Sequence, residues 1–238
     1  MSNHVLLNNI DHKDLRIITR RSAALGDNVM YSYTFPFEFR NIQAHYPIFF
    51  QKDPNSDRYY PLAMLGLRRD ENLFLSDAGW HAPYIPVAME RQPFLIGFEG
   101  GMGGGEPQSV VHVDMDSPRV SKSEGEPLFL EHGGNTPFLN RIAALLDALQ
   151  HGDRENGPFS AALVEHELLE SFNLDIELRD GSKNRLTGFY TISEEKLAAL
   201  GADALAALHK EGYLQAIYMV LASHSHIRGL VDRLNARL

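Results

Sequence analysis

HYPIFFQKDPNSDRYYPLAMLGL, residues 45–67, is the stretch whose reading decides the fold. His45 to Gln51 is apolar and aromatic, Asp53 to Asp57 (DPNSD) is turn chemistry, and Tyr59 to Leu67 is apolar again. Apolar runs of strand length on either side of a Pro/Asn/Ser/Asp cluster predict an antiparallel pair. The polar group Arg69-Asp70-Glu71-Asn72 predicts another turn, after which Leu73 to Leu75 resumes a strand. The block therefore reads as a meander.

Toward the N-terminus, YSYTFPFEF (31–39) alternates aromatic with smaller or polar residues until Pro36 interrupts it. Proline cannot donate to a ladder, so an edge strand or extended segment is expected. Residues 1–30 read as an N-terminal arm in which Leu15, Ile17 and Ile18 form a short apolar run. Toward the C-terminus, Pro83 and Pro86 limit any helix between Trp80 and Met89 to a short one. Phe94 to Phe98 (FLIGF) and Val110 to Met115 (VVHVDM) predict strands.

The rear half changes period. Thr136-Pro137 predicts an N-cap with proline at the first helical position. Leu139, Ile142, Leu145, Leu146 and Leu149 then share a face of a helix over 138–151. Gly157-Pro158 is expected to end it, with a second helix over 159–169. Phe172 to Leu178 and Leu186 to Ile192 predict a hairpin around Asp180-Gly181. Helices are expected at 194–200, 203–211 and 213–236. The apolar run Tyr213 to Leu221 is expected to pack on the sheet, or else to form a dimer seam. The fold class is α+β: a mostly antiparallel sheet packed against four to five helices. One domain is expected over 31–238, β-rich over 31–120 and mainly helical over 136–238, with the hairpin at 172–192.

Bulk composition excludes several functions. The hydrophobic fraction is 44% and the charged fraction 22%, ordinary for a folded chain. Net charge is -9, from 22 basic and 31 acidic residues. That balance argues against nucleic acid and anionic lipid as partners. Cysteine is absent, which removes disulfides, thiolate nucleophiles and cysteine-held metal clusters. The N-terminal MSNHVLLNNI lacks a basic region followed by a sustained apolar stretch, so no signal peptide is expected. No window approaches the roughly 20 apolar residues of a membrane-spanning helix. A cytoplasmic protein without membrane insertion is expected.

Several phrases in order point to a family. They are HYPIFF (45–50), YYPLAMLGLRRDENLFL (59–75), GWHAPYIP (79–86), RQPF (91–94), VDMDSPRV (113–120), GEPLF (125–129) and LTGFYTISEEKLAAL (186–200). Together they resemble the bacterial SapC family from about Tyr31 to near the C-terminus. The resemblance implies a bacterial origin and a name associated with surface layers. Some members carry a peptide-transporter permease label, which fits poorly with a chain lacking an apolar span. The resemblance implies no reaction, cofactor or catalytic residue.

Local chemistry offers few motifs. His112-Val113-Asp114 lies on a predicted strand, where a period of two puts both side chains on one face. With a third ligand from His166, His209, His224 or His226 they would form the 2-His-1-carboxylate site of an Fe(II) oxygenase. The plain alternative is a solvated or locally bonded strand face. The glycine run at 100–105 contains neither G-x-G-x-x-G nor G-x-x-x-x-G-K-[ST]. It leads into a strand, so a hairpin connection is expected in place of a phosphate loop. His224-Ser225-His226 on a helix would splay its rings, and a polar surface is expected there. His166-Glu167 lacks the second histidine of a zincin, and no G-x-S-x-G elbow occurs.

Trp80, Tyr84 and Arg91 lie in a Pro-rich segment between strands, where ligands or partners are often held. The aromatics offer contact area with a polar handle, and the guanidinium binds anions by a fork. The alternative is an anchor tying the loop to the sheet. The leading expectation is a non-catalytic or accessory protein of the SapC type that binds a protein or peptide, with a homodimer as a further arrangement and no cofactor. The rivals are the Fe(II) oxygenase using His112 and Asp114, and a small-ligand module around Trp80.

Overall fold

The computed structural model describes residues 3–99 and 108–238. In chain order, the front half holds β1 (His4–Leu6), β2 (Arg16–Ile17), β3 (Tyr31–Tyr33), α1 (Phe39–Ile42), β4 (Ile48–Lys52), β5 (Tyr59–Met64), β6 (Leu75–Ser76) and β7 (Gly79–Trp80). Next come α2 (Val87–Glu90), β8 (Phe94–Glu99), β9 (Gln108–Asp114), β10 (Val120–Ser121) and β11 (Glu126–Pro127). The rear half holds α3 (Pro137–Glu165), β12 (Leu169–Glu177), β13 (Lys183–Ile192), α4 (Glu194–Ala198), α5 (Ala202–Lys210), α6 (Tyr213–Ser223) and α7 (Ile227–Asn235).

The fold is α+β with antiparallel pairing throughout its ladders. The meander stretch supplies β4 and β5, paired from Ile48↔Ala63 to Lys52↔Tyr59. They are central strands of a sheet ordered β12-β13-β4-β5-β3. Strand β3 lies at its edge, as Pro36 requires, and the chain turns into a 3-10 helix at Pro36–Glu38. The expected single sheet is in fact divided. Strands β1, β9 and β8 form a second sheet, β10, β2 and β11 a third, and β6 with β7 a small ribbon. Residues read as an N-terminal arm supply β1 and β2, and Leu15 and Ile17 are buried. The glycine run at 100–105 lies outside the described residues; the strands flanking it, β8 and β9, pair with each other.

Two apolar cores result. One lies around the main sheet and includes Phe49, Phe50, Leu62, Phe159, Ile217 and Val220. The other joins Ile17, Phe94, Val113, Leu139, Ile142 and Leu146. Helix α3 serves both. Its 29 residues span roughly 43 Å at 1.5 Å per residue. Leu139, Ile142 and Leu146 enter one core, and Phe159 and Leu163 the other.

That continuity corrects the expected break at Gly157-Pro158. Pro158 lies inside α3. Flanking it, Asn156 Nδ2 donates to the Tyr59 carbonyl at 3.1 Å, and the Tyr59 amide donates to Ser160 Oγ at 2.8 Å. Both polar groups of a strand residue are thus held by the helix, which keeps the backbone helical through the proline. The C-terminal helix expected over 213–236 is instead divided by a 3-10 turn at His224–His226. There the Ile48 amide donates to Ser223 Oγ at 2.8 Å, and the His224 ring stacks on Phe49 with centroids 5.3 Å apart. Helix α6 packs on β4 and β13, burying Ala216, Ile217 and Val220.

Candidate functional site

A cleft of about 440 Å³ opens where α3 passes from one core to the other. Tyr33, Phe35 and Tyr60 line one side, and Leu95, Ile96 and Phe98 of β8 the other. Ala88 and Arg91 come from α2 and its end, while Leu146, Leu149, Gln150 and Asp153 come from α3. Close approach of α3 to this side needs Gly152: a Cβ there would lie 2.6 Å from the Phe37 ring and 2.9 Å from the Phe35 ring.

Two strand edges meet at this cleft. In the β8–β9 ladder the Asp114 amide donates to the Pro93 carbonyl. Alternation then turns Leu95 and Gly97 toward β9, and turns the amides and carbonyls of Ile96 and Phe98 away from it. Neither has a backbone partner on that side among the described residues. In β3 the Thr34 amide donates to the Pro61 carbonyl, so the Tyr33 amide faces outward likewise. Tyr33 and Phe98 are exposed, at 47% and 57%. Burial raises the Tyr33 phenol pKa, with Tyr31 and Tyr60 adding to the shift.

Arg91 is the cleft's cation. It is half-buried and donates to the Phe94 carbonyl. No carboxylate among the described residues lies within ion-pair distance of it. Burial pushes its guanidinium pKa below the usual arginine value.

The one-turn helix α2 sets where Arg91 sits, and polar groups hold it at both ends. At its start the Val87 amide donates to Glu38 Oε1 at 2.6 Å. Glu38 also accepts from Tyr84 Oη at 2.9 Å and from Thr34 Oγ1 at 2.7 Å. Burial raises this carboxyl above the ordinary glutamate range, and the three donors oppose the shift. At the other end Arg21 donates to the Met89 carbonyl at 3.0 Å and pairs with Asp27 at 3.2 Å. Asp27 in turn holds Arg119 at 2.5 Å, with both side chains buried. Arg119 donates to the carbonyls of Ile18 and Arg20, which ties the N-terminal segment to the same node. Glu90 pairs with Arg141, joining α2 to α3.

Of the predicted trio, only Arg91 lines the cleft. Trp80 is an anchor: its indole donates to Tyr46 Oη at 2.8 Å, and its ring packs on the main core. Tyr46 donates to the Tyr84 carbonyl, so Trp80, Tyr46, Tyr84 and Glu38 form one bonded chain behind α2.

His112 and Asp114 lie on β9 at the expected alternate positions, with Asp114 opposite His4 of β1. The His112 ring occupies the space over Gly97, where a Cβ would lie 2.6 Å from its Cε1. Among the described residues no three His, Asp or Glu side chains are grouped to hold a metal ion. His166 ends α3, His209 lies in α5, and His226 Nε2 meets the Gln43 carbonyl at 3.1 Å. His224, expected on a polar surface, packs against Phe49 and bonds Thr191 Oγ1 at 3.0 Å. Its pKa is lowered by burial.

Sequence reasoning missed Tyr33, Phe35 and Phe98 as a cleft rim, and missed Glu38 and the Asp27–Arg119 pair. Glu38 did carry a signal, as the one acid in the aromatic run 31–39. Among the described residues no helix is long and apolar enough to cross a membrane.

The SapC family model matches residues 7–230. The chain belongs to the SapC family. No curated protein and no solved structure matches it. The phrases that carried the resemblance hold Tyr46, Trp80, Tyr84, Arg91 and Arg119, so they coincide with the polar joints that set α2.

Proposed function

We propose that this SapC chain is a non-catalytic accessory protein whose cleft binds an extended apolar segment of a partner protein. One observation carries the reading: two strand edges with outward amides, at Tyr33 on one and at Ile96 and Phe98 on the other, converge on one aromatic cleft. An unpaired edge offers main-chain hydrogen bonds to an added strand, and pockets beside it select alternate side chains. Tyr33, Phe35 and Phe98 provide the aromatic contact that such segments bind. The cleft volume falls in the usual ligand-site range of about 300–1,000 Å³. Net charge of -9 supports a protein partner over nucleic acid.

The test is selection of a displayed random-peptide library on the immobilised protein, beside Phe98→Asp. Enriched peptides should alternate apolar residues and lose at least about tenfold in affinity for Phe98→Asp, since a rim charge would have to be desolvated. No enrichment, or enrichment that survives Phe98→Asp unchanged, would contradict the reading.

A further inference from the structure

The cleft has a direction, and it narrows the occupant. This inference rests on the partner-segment reading above. Arg91 marks one end, where it bonds the Phe94 carbonyl at the start of β8. The other end is marked by Ser109, paired with Phe98 in the ladder and bonded to Gln150 of α3 at 3.4 Å. Helix α3 runs the same way, from Arg141 beside Glu90 to Gln150 beside Ser109. The distances agree, at about 13 Å for Arg141 to Gln150 along a helix and about 13 Å for Phe94 to Phe98 along a strand. Asp153, one turn beyond Gln150, is exposed and lies past the Phe98 end. The cleft is therefore cationic and half-buried at one end, anionic and open at the other.

A strand added antiparallel to β8 enters beside Phe98 and finishes beside Phe94. We propose that the cleft takes the free C-terminus of the partner: its terminal carboxylate pairs with Arg91, apolar side chains fill the space by Ile96 and Phe98, and a basic residue upstream faces Asp153. Main-chain atoms of Ile96 and Phe98 supply the ladder bonds. The guanidinium fork supplies the carboxylate contact, which its half-buried apolar setting makes stronger than a surface pair. The same setting explains the direction chosen. A half-buried cation lacking a carboxylate among the described residues is satisfied by an incoming anion, and a chain terminus is the one main-chain anion an extended peptide brings.

Matched pentapeptide libraries test this, one ending in a free carboxylate and one in the amide, each with apolar last residues and lysine or glutamate upstream. Binding is read by fluorescence anisotropy, with circular dichroism as the check on folding. The proposal expects binders in the carboxylate set alone, at least about tenfold weaker for Arg91→Met and partly recovered by Arg91→Lys. Asp153→Lys, on an exposed helix face, should move the upstream preference from lysine to glutamate even if Arg91→Met does not fold. Equal binding of acid and amide would overturn the carboxylate assignment and leave the partner-segment reading standing. No binder in either set would overturn both. Binding of decanoate that depends on Arg91, with no peptide binder, would overturn the C-terminus as the occupant.

Discussion

Glu38 is 1% exposed and accepts from Val87, Tyr84 and Thr34. Glu38→Ala strands three donors at once, two of them in buried bonds, so urea unfolding should show a loss of roughly 2–4 kcal/mol. Glu38→Gln should cost much less: its carbonyl can replace Oε1, and its amide can donate to Thr34 Oγ1. The pH dependence follows from the raised carboxyl. The folded state holds this proton more tightly than the unfolded chain does. Stability from Glu38 is therefore present below the ordinary glutamate pKa and is lost as pH rises through the raised value. The stability advantage of wild type over Glu38→Gln, measured by urea unfolding across pH, should grow as pH falls into the ordinary glutamate range. A pH-independent difference would contradict it. Asp27 is the other residue on which the site depends. Asp27→Asn leaves Arg119 buried without its counter-charge and should cost about 3–5 kcal/mol in the same measurement. Of these residues only Tyr84 was singled out from the sequence. A buried carboxyl is created by tertiary neighbours: Thr34 lies only four residues before Glu38, but Tyr84 and Val87 reach it from a segment more than forty residues on.

Helix α3 shows how far local pattern carries. The apolar face at Leu139, Ile142 and Leu146 was legible because it repeats at helical spacing. Continuation through Gly157-Pro158 was not, because what holds it is Tyr59, about a hundred residues away in sequence. Asn156→Ala and Ser160→Ala should each lower stability by about 1–2 kcal/mol in urea unfolding, since each leaves a Tyr59 main-chain group unpaired. Pro158→Ala should raise the melting temperature, because it restores an amide to the helix interior. The division of the C-terminal helix has a similar origin. Ser223 and His224 turn inward to Ile48, Phe49 and Thr191, contacts that helical periodicity cannot register. The meander fared better: the β4–β5 pair follows from adjacent runs and their turn, which are local signals.

At the scale of the molecule, two cores share one long helix, and the cleft is the seam between them. Its walls come from residues 33–35, 60, 88–98 and 146–153, so no single motif could have announced it. The sequence did announce the class: antiparallel strands, a helical rear half, and edge character at Tyr31 to Tyr33. What it could not supply was the meeting of that edge with β8, which depends on sheet division. The central claim is that a partner segment completes the edge of β8. It is tested most directly by backbone amide exchange at Ile96 and Phe98, followed by NMR with and without a peptide enriched on the protein. Both amides should exchange freely alone and become protected in the complex, with Leu95 and Gly97 unchanged. A bound peptide that leaves Ile96 and Phe98 as exposed as before would contradict strand addition at this edge.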